Sequence, residues 1–251
     1  MATKRRTTRK KLPKKRAVSA ALGWRVPSWR RVVRTIAQVF LWWFVFQLAL
    51  VFLFAFVNPP TNFYMASESW RLGGVRQDWV AIEDMSPDMP RAVVAAEDAD
   101  FCNHWGFDLT AIRAVVNSNS KRVRGASTIS QQVAKNVFLW PNRSWVRKLF
   151  EAETTVLIEL VWSKRRIVEV YLNVAEFDEG VFGVGAAAPY YFGVSAKDLS
   201  LTQAARLAAI LPNPKKWSAS KPNGSTLRRS KAIMSGAETI AADGRDACFS
   251  S

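Results

Sequence analysis

The chain has 251 residues and a formal net charge of +16, with one histidine and two cysteines. Thirteen of its 36 Lys and Arg residues lie at or before Arg34, ahead of the first acid, Glu68. The charge therefore belongs mainly to a tail, which argues against a nucleic-acid-binding domain, and a lone histidine with two distant cysteines cannot build a zinc site.

The basic tail, residues 1–34, meets an uncharged apolar run, Thr35 to Val57. As a helix this run spans roughly 35 Å, enough to cross a hydrocarbon core of about 30 Å. Phe56-Val57-Asn58-Pro59-Pro60 is not a small-x-small cleavage site, so the run reads as a signal-anchor rather than a removable leader. The positive-inside bias puts residues 1–34 in the cytoplasm and everything after about residue 58 outside it. Such a compartment permits a disulfide, but two cysteines are not a framework, and Cys102 and Cys248 stay unassigned.

Residues 58–90 form a linker that leads into a domain over 91–241, and 242–251 is a polar tail. Ser86-Pro87-Asp88-Met89-Pro90 predicts a turn before a helix that starts at Arg91. That helix carries Ala92 to Ala96 into Glu97 and Asp98, with His104 six residues further on. A carboxylate at the end of an apolar helix is partly desolvated, which raises its pKa toward that of a general base. The plainer alternative is a core helix with a solvated end. A helix over Leu109 to Val116 is followed by a polar, basic stretch, Asn117 to Arg124, that reads as a mobile loop.

From Gly125 to Phe138 the periodicity predicts a helix with Ile129, Val133 and Val137 on its buried face. Thr128, Gln131 or Gln132, and Lys135 fall on another face, suited to sugar hydroxyls and an anion, or simply to solvent. Arg143, Arg147 and Glu151 share helical spacing amid Phe138, Leu139, Trp140, Trp145, Val146, Leu149 and Phe150. Core packing and contact with a lipid interface both fit that aromatic load. Lys164 to Asn173 predicts a helix ending in a turn marked by Gly180, Gly183 and Gly185. Ser200-Leu201-Thr202-Gln203 is a capping box opening a helix to Leu211, stopped by Pro212 and Pro214, and a last helix covers about 226–241. Strand signals beyond residue 90 are few, so the fold class reads as mainly α.

Glu97-Asp98-Ala99-Asp100-Phe101-Cys102-Asn103-His104-Trp105-Gly106-Phe107-Asp108 resembles the first signature of the family 51 glycosyltransferases, the peptidoglycan glycosyltransferases. Gly125 to Asn136 resembles the second, Arg147-Lys148-Leu149-Phe150-Glu151 the third, Lys164 to Gly193 the fourth, and Leu201 to Pro212 the fifth. All five occur in order. No transpeptidase domain follows, and Tyr171-Leu172-Asn173-Val174-Ala175-Glu176-Phe177 is most similar to the monofunctional members. Departures are Ala126, Ser130, Asp178 and Gln203-Ala204.

The resemblance implies a lysozyme-like α domain with a small membrane-proximal jaw, behind one N-terminal transmembrane helix, in the bacterial inner membrane with the catalytic domain periplasmic. It implies polymerisation of lipid II into glycan strands, with inversion and release of undecaprenyl pyrophosphate. Glu97 matches the general base and Glu151 the second essential acid. Lys135 and Arg143 match the pyrophosphate-holding positions. Asp98, Phe101, His104, Ser127, Thr128, Gln131, Gln132, Asn136, Arg147 and Lys148 match the substrate cleft. No cofactor is required; a divalent cation, Mg2+ or Mn2+, near the pyrophosphate is compatible with the chemistry. Partners would be lipid II and the growing glycan, membrane lipid, and cell-wall synthesis or division proteins, with no nucleic acid. Two rivals share features of this reading: a membrane-anchored muramidase or lytic transglycosylase, which has no pyrophosphate to bind, and an inactive scaffold.

Overall fold

The computed structural model describes residues 28–117, 127–142 and 144–250. The basic tail up to residue 27, the stretch predicted as a mobile loop beyond Asn117, and Arg143 lie outside the described residues. The chain divides into two bodies inside its first helix, one ending at Trp43 and the other beginning at Phe44. That helix, α1 (Trp29–Phe56), is 28 residues long and apolar enough to cross a membrane. It begins earlier than the uncharged run because Arg30, Arg31 and Arg34 are as helix-compatible as the apolar residues that follow.

Within the second body, the end of α1 packs on the domain that follows it. Gln47 is buried and its amide donates to Thr154 Oγ1 at 3.1 Å, while Trp162 Nε1 donates to the Val51 carbonyl at 2.7 Å. Phe54 rests on Phe138.

The domain is built from α2 (Phe63–Leu72), α3 (Asp88–Glu97), α4 (Leu109–Asn117), α5 (Ile129–Phe138), α6 (Trp145–Val161), α7 (Lys164–Val174), α8 (Val184–Phe192), α9 (Leu201–Ile210) and α10 (Gly224–Asp243). A small sheet in the order β1-β3-β2 sits among them: β1 (Arg76–Gln77) runs parallel to β3 (Val181–Phe182), and β2 (Glu176–Asp178) antiparallel to it. Strands this short are invisible to a period-two pattern. They are fixed instead by Asn173, fully buried at the end of α7, whose amide donates to Val80 O at 2.8 Å and accepts from Val80 N at 2.9 Å. Gly183 follows with φ +76°, and a Cβ there would lie 2.7 Å from the Asn173 carbonyl, so only glycine closes this turn.

Two helical layers make the core. In one, α3 contributes Ala92, Val93 and Val94, α9 contributes Ala204, Ala205, Leu207 and Ala208, and α10 contributes Ile233 and Ala237, all buried. The small residues let three helices approach closely. In the other, Ile129 and Val133 of α5 are buried with Ile158 of α6 and Ile167 of α7.

Local sequence sets most helix ends. Ser144, Ser163, Ser200 and Asn223 each cap a helix through a side-chain oxygen. Two predictions need correction. Pro90 does not end a turn before the helix but lies in the first turn of α3, where a missing N–H costs no hydrogen bond. And α5 begins at Ile129 rather than near Gly125, because Thr128 is its N-cap and pairs reciprocally with Gln131 as a capping box.

A disulfide joins Cys102 to Cys248 across 146 positions, with the Cα atoms 5.8 Å apart. It pins the C-terminal turn against the segment after α3. Arg91 Nε to Asp246 at 2.7 Å, Arg245 Nη1 to the Ala99 carbonyl at 3.0 Å, and buried Phe249 beside Phe101 hold the same junction.

Candidate active site

A cleft of about 490 Å³ opens between α5, α6 and α7. Its lining includes Ser127, Gln131, Gln132, Lys135 and Asn136 from the α5 end, Arg147, Lys148 and Glu151 from α6, and Tyr171 and Glu176 from the far wall. Eight of the residues assigned by sequence therefore converge, although they come from segments far apart in the chain.

Five others among the described residues are not part of that lining, and one of these, Glu97, adjoins it through Gln132. Phe101 is fully buried in the core. Asp98 is buried, and its two oxygens are used: Oδ2 accepts from Ile129 N at 2.9 Å and Oδ1 meets His104 Nε2 at 2.7 Å. Asp98 thereby satisfies a free N–H at the start of α5, where the helix dipole favours an anion. Thr128 donates to the Gly106 carbonyl at 2.7 Å and accepts from Gln131 N at 3.2 Å, so its hydroxyl is spent on the cap. These residues hold the amino end of α5 in place. The carbonyl of His104 accepts from Lys164 Nζ at 2.8 Å; that ammonium also reaches Glu159 Oε1 at 2.9 Å and lies 4.3 Å from the Phe101 ring centroid. Ser130 donates to the same Glu159 oxygen. The first signature is thus largely a scaffold for α5.

Glu97 closes α3. Gln132 Nε2 donates to Oε2 at 3.1 Å, and Arg229 Nη2 reaches Oε1 at 3.2 Å. Tyr171 in turn donates to Gln132 Oε1 at 3.3 Å, which fixes the amide so that its NH2 faces the carboxylate. Burial pushes the Glu97 carboxyl above the usual carboxylate range, against the Gln132 hydrogen bond and the charges of Arg229 and Lys135. Burial also pushes the Tyr171 hydroxyl up, so it stays a donor.

Glu151 is buried, with 3% of its surface exposed. Arg147 Nη1 donates to Oε2 at 2.9 Å and Lys148 Nζ to Oε1. The helical spacing of Arg147 and Glu151 thus brings them into a buried ion pair. α6 starts at Trp145 behind its Ser144 cap, and Arg143, read as sharing its face, lies outside the described residues. Lys135 lies between the two acids electrostatically: Glu97 and Glu151 both favour its charged form, yet burial dominates and lowers its pKa. Among the described residues no side chain hydrogen-bonds its ammonium. A half-desolvated cation without a protein partner, facing a cleft, is suited to an anionic ligand.

Sequence reasoning missed Arg229, Tyr171 and the far wall. There Tyr64 donates to Glu176 Oε2 at 2.6 Å and Lys215 lies 3.6 Å from Glu176 Oε1 and 2.8 Å from Glu68 Oε2. No local signal marks Arg229, which sits in a basic, solvated-looking stretch of α10. Tyr171 and Glu176 stand inside the fourth signature and could have been singled out there. The described residues hold no group of three or more His, Cys, Asp or Glu with metal-binding placement, and both cleft acids of α3 and α6 are already engaged by cations. The donor set does not fit a protein-held divalent ion.

The transglycosylase family model matches residues 66–238. A biosynthetic peptidoglycan transglycosylase of Jannaschia sp. is 53% identical over 203 residues, 81% of this chain and 84% of the relative. Proteins of the same description from Pseudomonas putida and Pseudomonas fluorescens are 50% and 47% identical, over 76% and 86% of this chain and 85% and 93% of theirs. A mainly helical domain with this cleft, matched over most of its length, belongs to the transglycosylase family, and the chain is a peptidoglycan glycosyltransferase.

Proposed function

We propose that this enzyme polymerises lipid II into linear glycan strands through β-1,4 bonds, with inversion at the anomeric carbon. The observation that carries the reading is an asymmetry: a half-buried carboxylate with a raised pKa, Glu97, bonded to Gln132 at one side of the cleft, and in the cleft lining a cation that no described side chain hydrogen-bonds, Lys135, beside Arg147 and Lys148. The 4-hydroxyl of an incoming N-acetylglucosamine gives its proton to Glu97 as its oxygen bonds to C1 of N-acetylmuramic acid at the reducing end of the growing chain. The bond from C1 to the lipid pyrophosphate breaks, and the pyrophosphate leaves with the electron pair. A weak hydroxyl nucleophile needs the base, and the departing anion needs positive charge as it develops.

Lys135 supplies that charge first, because no side chain among the described residues hydrogen-bonds its ammonium. Arg143, outside the described residues, is assigned to the same task by resemblance. Glu151 holds Arg147 and Lys148 toward the cleft and acts on the leaving-group side. No step is routed through a metal ion.

The domain is read as lying outside the cytoplasm, at the outer face of the inner membrane. The basic tail and the disulfide both support this, since disulfides persist in oxidising compartments. Contact of α6 with lipid is supported by Trp145, 91% exposed, with Val146 and Leu149 also exposed. From the Gln47–Thr154 and Val51–Trp162 pairs, α6 runs in the same direction as the end of α1. Labelled lipid II incubated with the full chain in detergent should give long glycan that a β-1,4-specific muramidase reduces to disaccharide-peptide. Product resistant to that enzyme, or shortening of preformed glycan, would overturn the reading.

A further inference from the structure

Glu97 sits where two effects disfavour its ionised form. It is half-buried, and it ends α3, where the helix dipole is negative. The groups that face it are Gln132 and Lys135 from α5, Tyr171 from α7, Arg229 from α10, and its neighbour Asp98, already bonded to Ile129 and His104. Among the described residues only Arg229 puts a cation in direct contact. Its Nη2 lies 3.2 Å from Glu97 Oε1 and 3.4 Å from the Ala96 carbonyl at the end of the same helix.

We propose that Arg229 is a positioning residue for glycosyl transfer: it anchors one oxygen of Glu97 and counters the helix end, leaving the carboxylate ionised and its other oxygen turned toward Gln132 and the cleft. The proposal rests on the reading of Glu97 as the base. Three features support it. Glu97 is the only side chain that Arg229 bonds among the described residues, and its Nε is buried without a hydrogen-bond partner there. An arginine kept only to staple α10 to α3 would be expected to satisfy that donor. Second, one nitrogen, Nη2, meets both sources of negative potential, the carboxylate and the helix end. Third, α10 is brought close by Gly236, where a Cβ would stand 3.1 Å from Ala95 Cβ. That close approach sets the reach of Arg229 to the end of α3.

Sign follows from charge. Removing the guanidinium raises the Glu97 pKa further, so the base is protonated at higher pH and activity is lost first on the acid side. The test is the pH profile of kcat/KM for lipid II polymerisation by the full chain in detergent, for the wild type, Arg229→Met, Arg229→Gln and Arg229→Lys. Both uncharged variants should move the acid limb up by about one pH unit. They should lose about tenfold below it and return to within about threefold of the wild type above it. Arg229→Lys should recover part of the displacement. An unmoved limb, or a loss equal at every pH, would show a merely structural residue and overturn the proposal. So would failure of both uncharged variants to give a cooperative thermal unfolding transition. Activity of Glu97→Gln would instead sink the base assignment itself, whatever the Arg229 variants do.

Discussion

The two acids of the cleft are held in opposite ways. Glu97 has one arginine and one amide as partners, at the end of a helix, and burial pushes its pKa up. Glu151 lies mid-helix and is gripped by two cations from its own helix, Arg147 and Lys148. The lesson is that environment rather than residue type divides the labour. A lightly countered carboxylate can take up a proton near working pH, whereas a doubly paired one organises positive charge. Lys135, felt by both, is the electrostatic hinge of the arrangement.

Breaking each acid in turn should separate these roles. Glu97→Gln keeps the shape and acceptor for Arg229, so it should lower kcat by about 10³-fold or more while the unfolding midpoint stays near that of the wild type. Glu151→Gln should lower activity by about 10²-fold and also destabilise the fold by about 2–3 kcal/mol, because it leaves Arg147 buried without its counter-charge. Parallel thermal melts and initial rates decide whether only the second variant affects both. Equal destabilisation by the two would erase the comparison.

Lys135→Met should act in the opposite sense on stability. Removing a desolvated ammonium with no hydrogen-bonding side chain should leave the melting point unchanged or raise it by the equivalent of about 1 kcal/mol, while kcat/KM for lipid II falls about 10- to 100-fold. A melting point clearly lowered would mean that the ammonium is structural. The smallest effect on chemistry is expected at the far end of the junction that supports α3. Cys248→Ser opens a closure of 146 positions and should cost about 2–4 kcal/mol, read by denaturant unfolding, with activity of the folded fraction within a few-fold of the wild type. An equal loss on reducing the wild type, and none on reducing the variant, would tie the effect to the bridge.

Much of the frame was legible in sequence because it depends on local physics. The apolar run announces a membrane-long helix, the buried face of Ile129, Val133 and Val137 follows helical period, and Ser200 with Gln203 forms the expected capping box. Thr128 was misplaced for an instructive reason. The same Thr-x-x-Gln spacing that puts a hydroxyl near a cleft also makes a capping box, and the backbone N–H groups win the hydroxyl. Asp98 and His104 resembled ligand contacts, yet Asp98 spends its oxygens on the start of α5 and on His104 Nε2. Arg229 and the Cys102–Cys248 pair were out of reach, since both are set by how α10 packs back on α3, across more than 130 positions, and no periodicity reports that.

The decisive measurement is polymerisation of labelled lipid II by the detergent-solubilised wild type and by Glu97→Gln, run side by side across pH. The account predicts long glycan from the wild type, with an acid limb above the ordinary carboxylate range because burial raises the Glu97 pKa, and none from the variant at any pH. Polymer from Glu97→Gln at a comparable rate, or a folded wild type that makes none, would contradict it.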